Sequence, residues 1–458
     1  MEQLSVLDAG FLQVEDSDPR ISLAIGSVTV LEGPPPGFDE LADSLAQRLA
    51  RAPRLRQAVR THPLDLEPPH WVDVPDLDLG HHLRHVALPA PGSDTELFAL
   101  VSDIIERRLD RDYPLWECWV VEGLAEGRWA LIIKLHHCIA DGVSATAMMA
   151  AFSDDGELDS FATQLPDAHS PDAPADAGPL SRISLNPLDW GKAVWELSSG
   201  AADLAAQTVR GTLGIVGDIV RPTSGNSLNG PVGSLRRYRA ARVSIDDIRA
   251  IGRAFDATFN DVALAAVTHG YRQVLLHRGE TPRHDSLRTL IPVSVRDTAA
   301  LHTPDNRVSL MLPLLPVDEP TPLAQLKALR LRMRRAKSNG QRQAGANVVG
   351  AANRFLPFPL TAWTVRAVSR LPQRNVTGLA TNVPGPRQPV RMFGRRVLTM
   401  LPIPPLALRL RVGIAMLSYT DQLTFGILAD YDSSPDLEVL VDGIESAIAG
   451  LAELARRA

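Results

Sequence analysis

The segment KLHHCIADGVSA, residues 134–145, places His136 and His137 side by side and follows them with an Asp-Gly pair at 141–142. Histidine titrates near neutral pH, so either ring could act as a general acid or base. The sequence contains no HExxH or CxxC metal-binding pattern and no GxSxG nucleophile elbow. A base without an enzyme nucleophile indicates that it activates a hydroxyl group brought by the substrate.

Strand periodicity separates the two histidines. Side chains of a strand alternate between its faces, so Ile133, Leu135 and His137 share one face. Lys134 and His136 share the other. Only one histidine can therefore point into a given cavity. A single histidine at a strand end is more often structural than catalytic, but the pair followed by Asp-Gly favours acid–base chemistry.

The elements around the histidines are predicted from hydrophobic patterns. PLWECWVVEGL and RWALIIKLHH, separated by AEG, predict a hairpin that ends at the double histidine. SATAMMAAFS then predicts a helix, so the histidines lie at a strand-to-helix junction, where α/β folds commonly present reactive groups. A strand is predicted over 21–31, and one apolar face predicts a helix over 94–109.

Composition restricts the class of protein. A length of 458 residues predicts two domains, and 45% hydrophobic with 22% charged residues is typical of a soluble globular protein. No apolar run predicts a membrane span, and the acidic N-terminus predicts no secretory signal, so we expect a cytoplasmic protein. Cys118 and Cys138 are the only cysteines and are predicted to be free thiols. The net charge of −6 argues against nucleic acid as the main partner.

The amino-acid composition changes over residues 154–187, where Pro, Asp, Ala and Ser predominate and predict a linker. A helix is predicted at about 190–220. We therefore predict an N-terminal α/β domain over 1–155, a linker with a crossover helix over 156–235, and a C-terminal α/β domain over 236–458.

HHCIADG matches the HHxxxDG signature of acyltransferases with the chloramphenicol acetyltransferase-like fold, which peptide-synthetase condensation domains and polyketide-associated acyltransferases share. Other motifs choose among these groups: LSVLDAGFL, PLWECWVVEGL, FNDVALAAV, LIPVSVR, DNRVSLMLPLLP, TNVPGP and LSYTDQLTFGILADYD. In this order and spacing they resemble the bacterial wax ester synthase/diacylglycerol acyltransferase family, and closely its actinobacterial triacylglycerol synthase branch. The resemblance runs over about residues 4–450.

The resemblance implies an α/β (α+β) fold in which two chloramphenicol acetyltransferase-like domains form a pseudo-dimer around a central tunnel. It implies a diacylglycerol O-acyltransferase that uses long-chain acyl-CoA, accepts long-chain alcohols as a side activity, and needs no cofactor or metal. His137 would be the general base for the diacylglycerol hydroxyl, with His136 in a supporting role. The expected partners are long-chain acyl-CoA, diacylglycerol, and the surface of the inner membrane or of lipid droplets.

The resemblance also implies a structural role for Asp141, because this aspartate usually pairs with a distant arginine and holds its loop. Arg296 of PVSVRD is the predicted partner, and Arg307 of DNRVS is the alternative. The competing interpretation makes Asp141 the third member of a catalytic relay. The adjacent glycine favours the structural role, because a carboxylate at such a turn often caps backbone donors or pairs locally.

The FND motif has a structural and a functional interpretation. Thr258 followed by Asp261 predicts a capping box at the start of a helix. Asn260 is the stronger functional candidate, as a tunnel residue that orients substrate or stabilises the oxyanion, and Asp261 is its companion. Trp116 is predicted to lie in the core, with contact to the acyl chain as the alternative.

Four further segments have competing interpretations. GHHLRH at 80–85 lacks the Asp-Gly pair and predicts surface histidines. The arginine clusters at 330–337 and 394–396 could bind CoA phosphates, although charge runs more often form solvated faces. VLTMLPIPPLAL at 397–408 is too short and too rich in proline to span a bilayer and fits a tunnel lining.

Diacylglycerol resides in lipid, so membrane contact is expected. The helix at about 190–220 and the apolar segment 356–365 are candidates, with packing between the two halves as the alternative. Two other functions remain open: acyl transfer from a carrier protein, as in a condensation domain, and non-catalytic lipid-droplet binding. TNVPGP argues against the first and the intact HHxxxDG argues against the second.

Overall fold

A computed structural model describes residues 2–62, 67–139, 152–155, 224–294, 308–338, 376–406 and 410–457. Asp141, Arg296 and Arg307 lie outside these ranges, as do the predicted helix at 190–220 and the segment 356–365. The predictions made for these residues stay predictions.

The described residues form two six-stranded sheets, one two-stranded sheet and helices that cover them. The strands are β1 Ala24–Leu31, β2 Gln57–Arg60, β3 His70–Asp73, β4 Leu83–Ala87, β5 Trp116–Leu124, β6 Arg128–His136, β7 Arg236–Ser244, β8 Thr289–Ser294, β9 Val308–Met311, β10 Gly378–Val383, β11 Arg391–Met392, β12 Arg395–Ile403, β13 Val412–Tyr419 and β14 Gln422–Asp430. The first sheet has the order β11-β12-β1-β6-β5-β4 and the second has the order β7-β14-β13-β10-β8-β9.

The helices of the described residues pack on both halves. They are α1 Val6–Ser17, α2 Phe38–Arg48, α3 Asp94–Glu106, α4 Ile245–Ala254, α5 Phe259–His277, α6 Pro322–Ser338 and α7 Leu437–Arg457, with short 3-10 turns at Leu49–Arg51, Pro53–Arg56, Leu79–His81 and Ala125–Gly127. Helices α4 to α7 form one apolar core with the second sheet. Helix α1 packs on the first sheet, in a core that also receives residues of β12 and β13. The mixed α/β fold predicted from the sequence is confirmed.

The predicted hairpin before the double histidine is confirmed as β5 and β6. The two strands pair antiparallel from Trp116 opposite Leu135 to Val121 opposite Ala130. On its other side β6 pairs with β1, which places Ala24 opposite His136. Strand β6 is therefore an internal strand, and its end is held by neighbours on both sides.

Strand β12 joins the sheet of the other half of the chain. Although it lies late in the sequence, it pairs with β1 along most of its length. Its end lies against the second sheet: Tyr238 Oη of β7 donates to the Pro402 carbonyl at 2.9 Å, and the glycine at position 426 of β14 leaves room for that same oxygen. A Cβ at position 426 would come within 1.7 Å of it. The prediction of two domains divided at residue 236 did not include this pairing of β12 with β1.

Candidate active site

A cavity of about 110 Å³ lies where the two sheets meet. Its walls come from β1, β6 and the end of β12 on one side, and from β8, β10 and β13 on the other. The lining residues are Ile25, Gly26, Ser27, Ile133, Leu135, His137, Pro292, Leu379, Thr381, Val383, Pro402, Ile403, Pro404, Pro405, Ala415 and Leu417. Apart from Ser27, Thr381 and His137, these residues are aliphatic, proline or glycine, so the cavity is suited to a hydrocarbon chain.

Alternation along the strands decides which residues reach the cavity. On β13, Ala415 and Leu417 line it, whereas Ile414 and Met416 join the helix-covered core. Gly26 on β1 permits close approach of β6, because a Cβ there would lie 2.4 Å from a backbone oxygen of that strand. The wall next to the double histidine is therefore tightly packed backbone.

His137 lines the cavity and follows directly after β6. It lies on the same face as Ile133 and Leu135, so the predicted strand register is confirmed. Its backbone N–H donates to the carbonyl of Leu23 at 3.0 Å. The ring of Phe11, from α1, lies 4.2 Å from the imidazole between ring centroids. The catalytic candidate is therefore held through both its backbone and its ring.

His136 is 1% exposed and does not line the cavity. Its Nδ1 accepts the backbone N–H of Cys138 at 3.1 Å. An N–H group can only donate, so we assign the proton of the neutral imidazole to Nε2. Nε2 lies 3.5 Å from a carboxylate oxygen of Glu15, too far for a well-formed hydrogen bond but close enough for an electrostatic contact. The predicted division between the two histidines agrees with these positions.

Lys134 shares the buried face with His136. Its ammonium group donates to the carbonyls of Ile104 at 2.9 Å and Arg107 at 2.6 Å. Burial lowers the pKa of Lys134, against the attraction of nearby Glu117 and Glu15. Polar residues on this face of β6 thus form a buried network that stabilises the fold, while the other face lines the cavity.

Glu15 is the acid of this network, and its side chain is 2% exposed. Burial raises its pKa, but the His136 imidazole, the Arg111 guanidinium and the Leu23 amide together lower the pKa to about 2. The carboxylate is therefore ionised at neutral pH.

Asp261 forms the predicted capping box. Thr258 is the N-cap of α5, its hydroxyl accepts the Asp261 N–H, and the Asp261 carboxylate accepts the N–H and O–H of Thr258 at 3.0 and 2.7 Å. This carboxylate does not line the cavity between the sheets. The predicted capping box is confirmed, and the substrate-binding role of Asp261 stays a prediction.

Asn260 contacts β10 from the face opposite the cavity. Its Oδ1 accepts a hydrogen bond from the side-chain amide of Asn382 at 2.5 Å. Thr381 and Val383, on either side of Asn382, line the cavity, so Asn382 points the other way. Asn260 therefore does not line the cavity, and its role as an oxyanion donor stays a prediction.

Trp116 lies in the core and does not line the cavity. Its Nε1 donates to the carbonyl of Leu55 at 2.7 Å, and its ring stacks on His82 at 4.3 Å. These contacts agree with the prediction that Trp116 lies in the core. Its contact with an acyl chain stays a prediction, because Trp116 does not line the described cavity.

The prediction that residues 80–85 carry surface histidines is wrong for His82. This residue is 1% exposed, and its Nδ1 lies 2.8 Å from the carbonyl of Trp116. Burial lowers the pKa of His82, which keeps the ring neutral against the tryptophan. The sequence showed charged neighbours on both sides, whereas in the fold His82 lies just before β4, accepts the Cys118 N–H on its carbonyl and stacks on Trp116 of β5.

The arginines of α6 already have protein partners. Arg330 donates to the carbonyl of Phe255 at 2.6 Å and to the Asp256 carboxylate at 2.5 Å, and Arg332 donates to the carbonyl of Leu314 at 2.9 Å. A CoA phosphate at this cluster stays a prediction. In contrast, residues 402–405 line the cavity, which agrees with an apolar lining role for residues 397–408, and the tunnel itself stays a prediction.

Sequence reasoning missed two groups at the site. It did not single out Glu15 or Phe11, although their spacing of four residues on α1 puts both on one helical face. It also missed the cavity hydroxyls Ser27 and Thr381. Each is a polar residue on the cavity-facing side of an otherwise apolar strand. The sequence does not show which side of the strand faces the cavity, so these residues can be recognised only once the register is known.

The geometry allows a neutral imidazole to remove a proton inside an apolar cavity. No cluster of three or more metal-ligating side chains occurs among the described residues. Over the same ranges, no helix is both long enough and apolar enough to cross a bilayer.

Comparison with known proteins supplies the context. The family model for the wax ester synthase/diacylglycerol acyltransferase catalytic domain matches residues 4–263, and the model for the WS/DGAT C-terminal domain matches residues 305–452. The chain is 50% identical over 460 aligned positions to the Mycobacterium tuberculosis protein named "Probable diacyglycerol O-acyltransferase tgs1", with 100% of this chain and 97% of the relative covered.

Two solved structures share the fold. A wax ester synthase/diacylglycerol acyltransferase from Marinobacter aquaeolei superposes with a TM-score of 0.67 at 25% identity, and the match covers 100% of both chains. The first condensation domain of the CDA synthetase superposes with a TM-score of 0.63 at 17% identity, covering 99% of this chain and 96% of that one. The second match shows the fold alone.

Proposed function

The chain belongs to the wax ester synthase/diacylglycerol acyltransferase family, and from this membership we propose that it makes triacylglycerol by transferring a long-chain acyl group from acyl-CoA to diacylglycerol. Half of its residues are identical to those of a relative named as a diacylglycerol O-acyltransferase. Long-chain alcohols are proposed as alternative acceptors, because they present the same hydroxyl group on an apolar chain.

The observation that carries the proposal is the position of His137 on the wall of an apolar cavity between the two sheets. A base at that place can reach a hydroxyl whose hydrocarbon chain lies among the aliphatic and proline side chains. The neutral form of the imidazole is the one that can accept a proton.

In the proposed reaction, His137 accepts the proton of the diacylglycerol hydroxyl while that oxygen attacks the thioester carbonyl carbon. The carbon–sulfur bond then breaks and CoA leaves as a thiolate. The imidazolium returns its proton to the sulfur, so the products are triacylglycerol and CoA with a free thiol. The enzyme ends in its starting state, and no acyl-enzyme forms.

Two further roles are part of this proposal. We propose that Asp141 pairs with Arg296 and holds the loop after His137. Asn260 is proposed to act on the substrate only indirectly, because it bonds Asn382 on the side of β10 away from the cavity, between the cavity-lining Thr381 and Val383. The protein is also proposed to work at a membrane or lipid-droplet surface, because its acceptor partitions into lipid. Flotation with diacylglycerol-containing liposomes tests the surface proposal, and failure to float with them would contradict it.

The test of function is a turnover assay on the purified chain. Release of the CoA thiol and formation of triacylglycerol are followed with acyl-CoA and diacylglycerol, then with a long-chain alcohol as acceptor and with a carrier-bound acyl group as donor. We expect acyl-CoA with diacylglycerol to be used best. Strong preference for the carrier-bound donor would instead support condensation-type transfer, and no turnover with any pair would support a binding protein.

Variants tie this turnover to the site. His137→Ala should lower it about a hundredfold or more, whereas the control His85→Ala should leave it unchanged. His85 is a half-exposed histidine paired with Glu122 at 2.8 Å, away from the cavity. Equal turnover in both variants would contradict the proposed base.

A further inference from the structure

Glu15 lies near the end of α1 with its carboxylate directed at the double histidine. One oxygen, Oε1, accepts the backbone N–H of Leu23 at 3.0 Å. The other, Oε2, accepts from the Arg111 guanidinium at 2.7 Å and lies 3.5 Å from Nε2 of His136. The side chain is 2% exposed, so its geometry is set by these partners and not by solvent.

Two routes lead from Glu15 to the backbone of His137. Leu23 gives its N–H to Glu15 and accepts the His137 N–H on its carbonyl at 3.0 Å. His136 has its Nε2 beside Glu15 and accepts the Cys138 N–H on Nδ1 at 3.1 Å. The peptide groups on both sides of the His137 Cα are thus held by groups that contact Glu15.

A third contact comes from the same helix. Phe11 lies one turn before Glu15 on α1, and its ring is 4.2 Å from the His137 ring between centroids. The helix therefore touches both histidines, His137 through Phe11 and His136 through Glu15. A shift of α1 would change the direction of the His137 ring along with its backbone.

We propose that Glu15 is a positioning residue for His137, a proposal that rests on the proposed role of His137 as the base. Glu15 does not line the cavity, so it acts through the backbone and through His136 and not on the substrate. Substitution of Glu15 should therefore lower kcat, because a displacement of about 1 Å in a reacting group can lower the rate about a hundredfold.

The chemistry of the contacts requires a carboxylate. Two donors bond to it, the amide of Leu23 and the guanidinium of Arg111, and Nε2 of His136 lies in electrostatic contact at 3.5 Å. An ionised carboxylate offers acceptors only, whereas a glutamine would turn an NH₂ group toward at least one of these donors. The Glu15→Gln substitution is therefore close in shape but wrong in hydrogen bonding.

The neighbouring Asp16 provides a matched control. It contacts the same guanidinium, at 3.0 Å, but within the described residues it has no hydrogen bond to Leu23 or His136. Asp16→Asn removes the same charge from the same arginine and leaves the two routes to His137 intact. The positioning proposal predicts different kinetics for the two variants, and a general charge effect predicts the same kinetics.

The experiment measures kcat, the KM for acyl-CoA and the melting temperature of wild type, Glu15→Gln and Asp16→Asn. We expect kcat of Glu15→Gln to fall about tenfold to a hundredfold with little change in KM, and Asp16→Asn to behave like wild type. Wild-type kcat in a folded Glu15→Gln would overturn the proposal. So would an equal loss in both variants.

If Glu15→Gln does not fold, Glu15→Asp takes its place, because it keeps the charge and the acceptors but shortens their reach. A folded Glu15→Asp with wild-type kcat would also overturn the proposal. A double variant separates positioning from a general structural role. If Glu15 acts through His137, adding the Glu15 substitution to His137→Ala should cause no further loss of turnover per folded molecule. A further loss as large as the one in the wild-type background would refute the positioning role.

These outcomes also separate the two proposals. An active His137→Ala contradicts the proposed base itself. An inactive His137→Ala beside a fully active Glu15→Gln contradicts only the positioning role.

Discussion

Replacing each of the two adjacent histidines by alanine should damage the protein in different ways. His137→Ala removes a ring that faces the cavity and leaves the buried network untouched. Loss of a positioned general base lowers the rate by about a hundredfold or more, equivalent to roughly 2.7 kcal/mol in the activation barrier. The melting temperature should change little, because the ring lies at a cavity wall and its backbone hydrogen bond to Leu23 remains.

His136→Ala should act on the folded state. It leaves the Cys138 N–H without its acceptor, and a buried unsatisfied donor costs about 1–3 kcal/mol. It also removes a 1% exposed ring from the core, for which a few further kcal/mol is the usual cost of a cavity. We expect a clearly lowered melting temperature, with activity retained in part by the molecules that fold.

The assay measures thermal unfolding and turnover on the same preparations, with turnover expressed per folded molecule. The two variants should differ in both measurements: His137→Ala should be nearly as stable as wild type with little activity, and His136→Ala should be much less stable with partial activity per folded molecule. A stable but inactive His136→Ala together with an active His137→Ala would reverse the roles and refute the register argument.

Three other predictions follow from single features of the structure. Ala415→Leu adds three carbons to the wall of a cavity of about 110 Å³, so it should shorten the longest acyl chain used efficiently, as measured with acyl-CoA of graded length; unchanged chain-length preference would exclude this wall from acyl binding. Gly426→Ala should lower the melting temperature markedly, because its Cβ would lie 1.7 Å from the Pro402 carbonyl, whereas Gly450→Ala, in the exposed part of α7 with open space around it, should be neutral or stabilising by about 0.5–1 kcal/mol. The pKa of Glu15 is lowered from 4.5 to about 2, so its contribution to stability is complete above pH 4.5 and is lost as the pH falls toward 2. Between pH 5 and pH 3 the melting temperature of wild type should therefore fall more than that of Glu15→Gln, and parallel curves of melting temperature against pH would contradict this.

Local signals in the sequence were sufficient for several parts of the site. The β5–β6 hairpin, the opposite directions of His136 and His137, and the capping box at Thr258 each depend on residues that are near neighbours in the chain. Period-two alternation, turn composition and capping preferences act over a few residues, so they can be recognised without knowledge of the rest of the fold.

The sequence by itself identified the two adjacent histidines as candidates for the chemistry, and the motif HHCIADG with its neighbours indicated the family that the family models confirm. The tertiary structure decided where the cavity lies, because its walls come from strands of both sheets, including β12, which crosses from one half to the other. It also decided that His82 is buried and that Glu15 reaches the double histidine. These facts depend on pairing and packing between residues far apart in the chain, and no local pattern records which distant strand or helix will supply the partner.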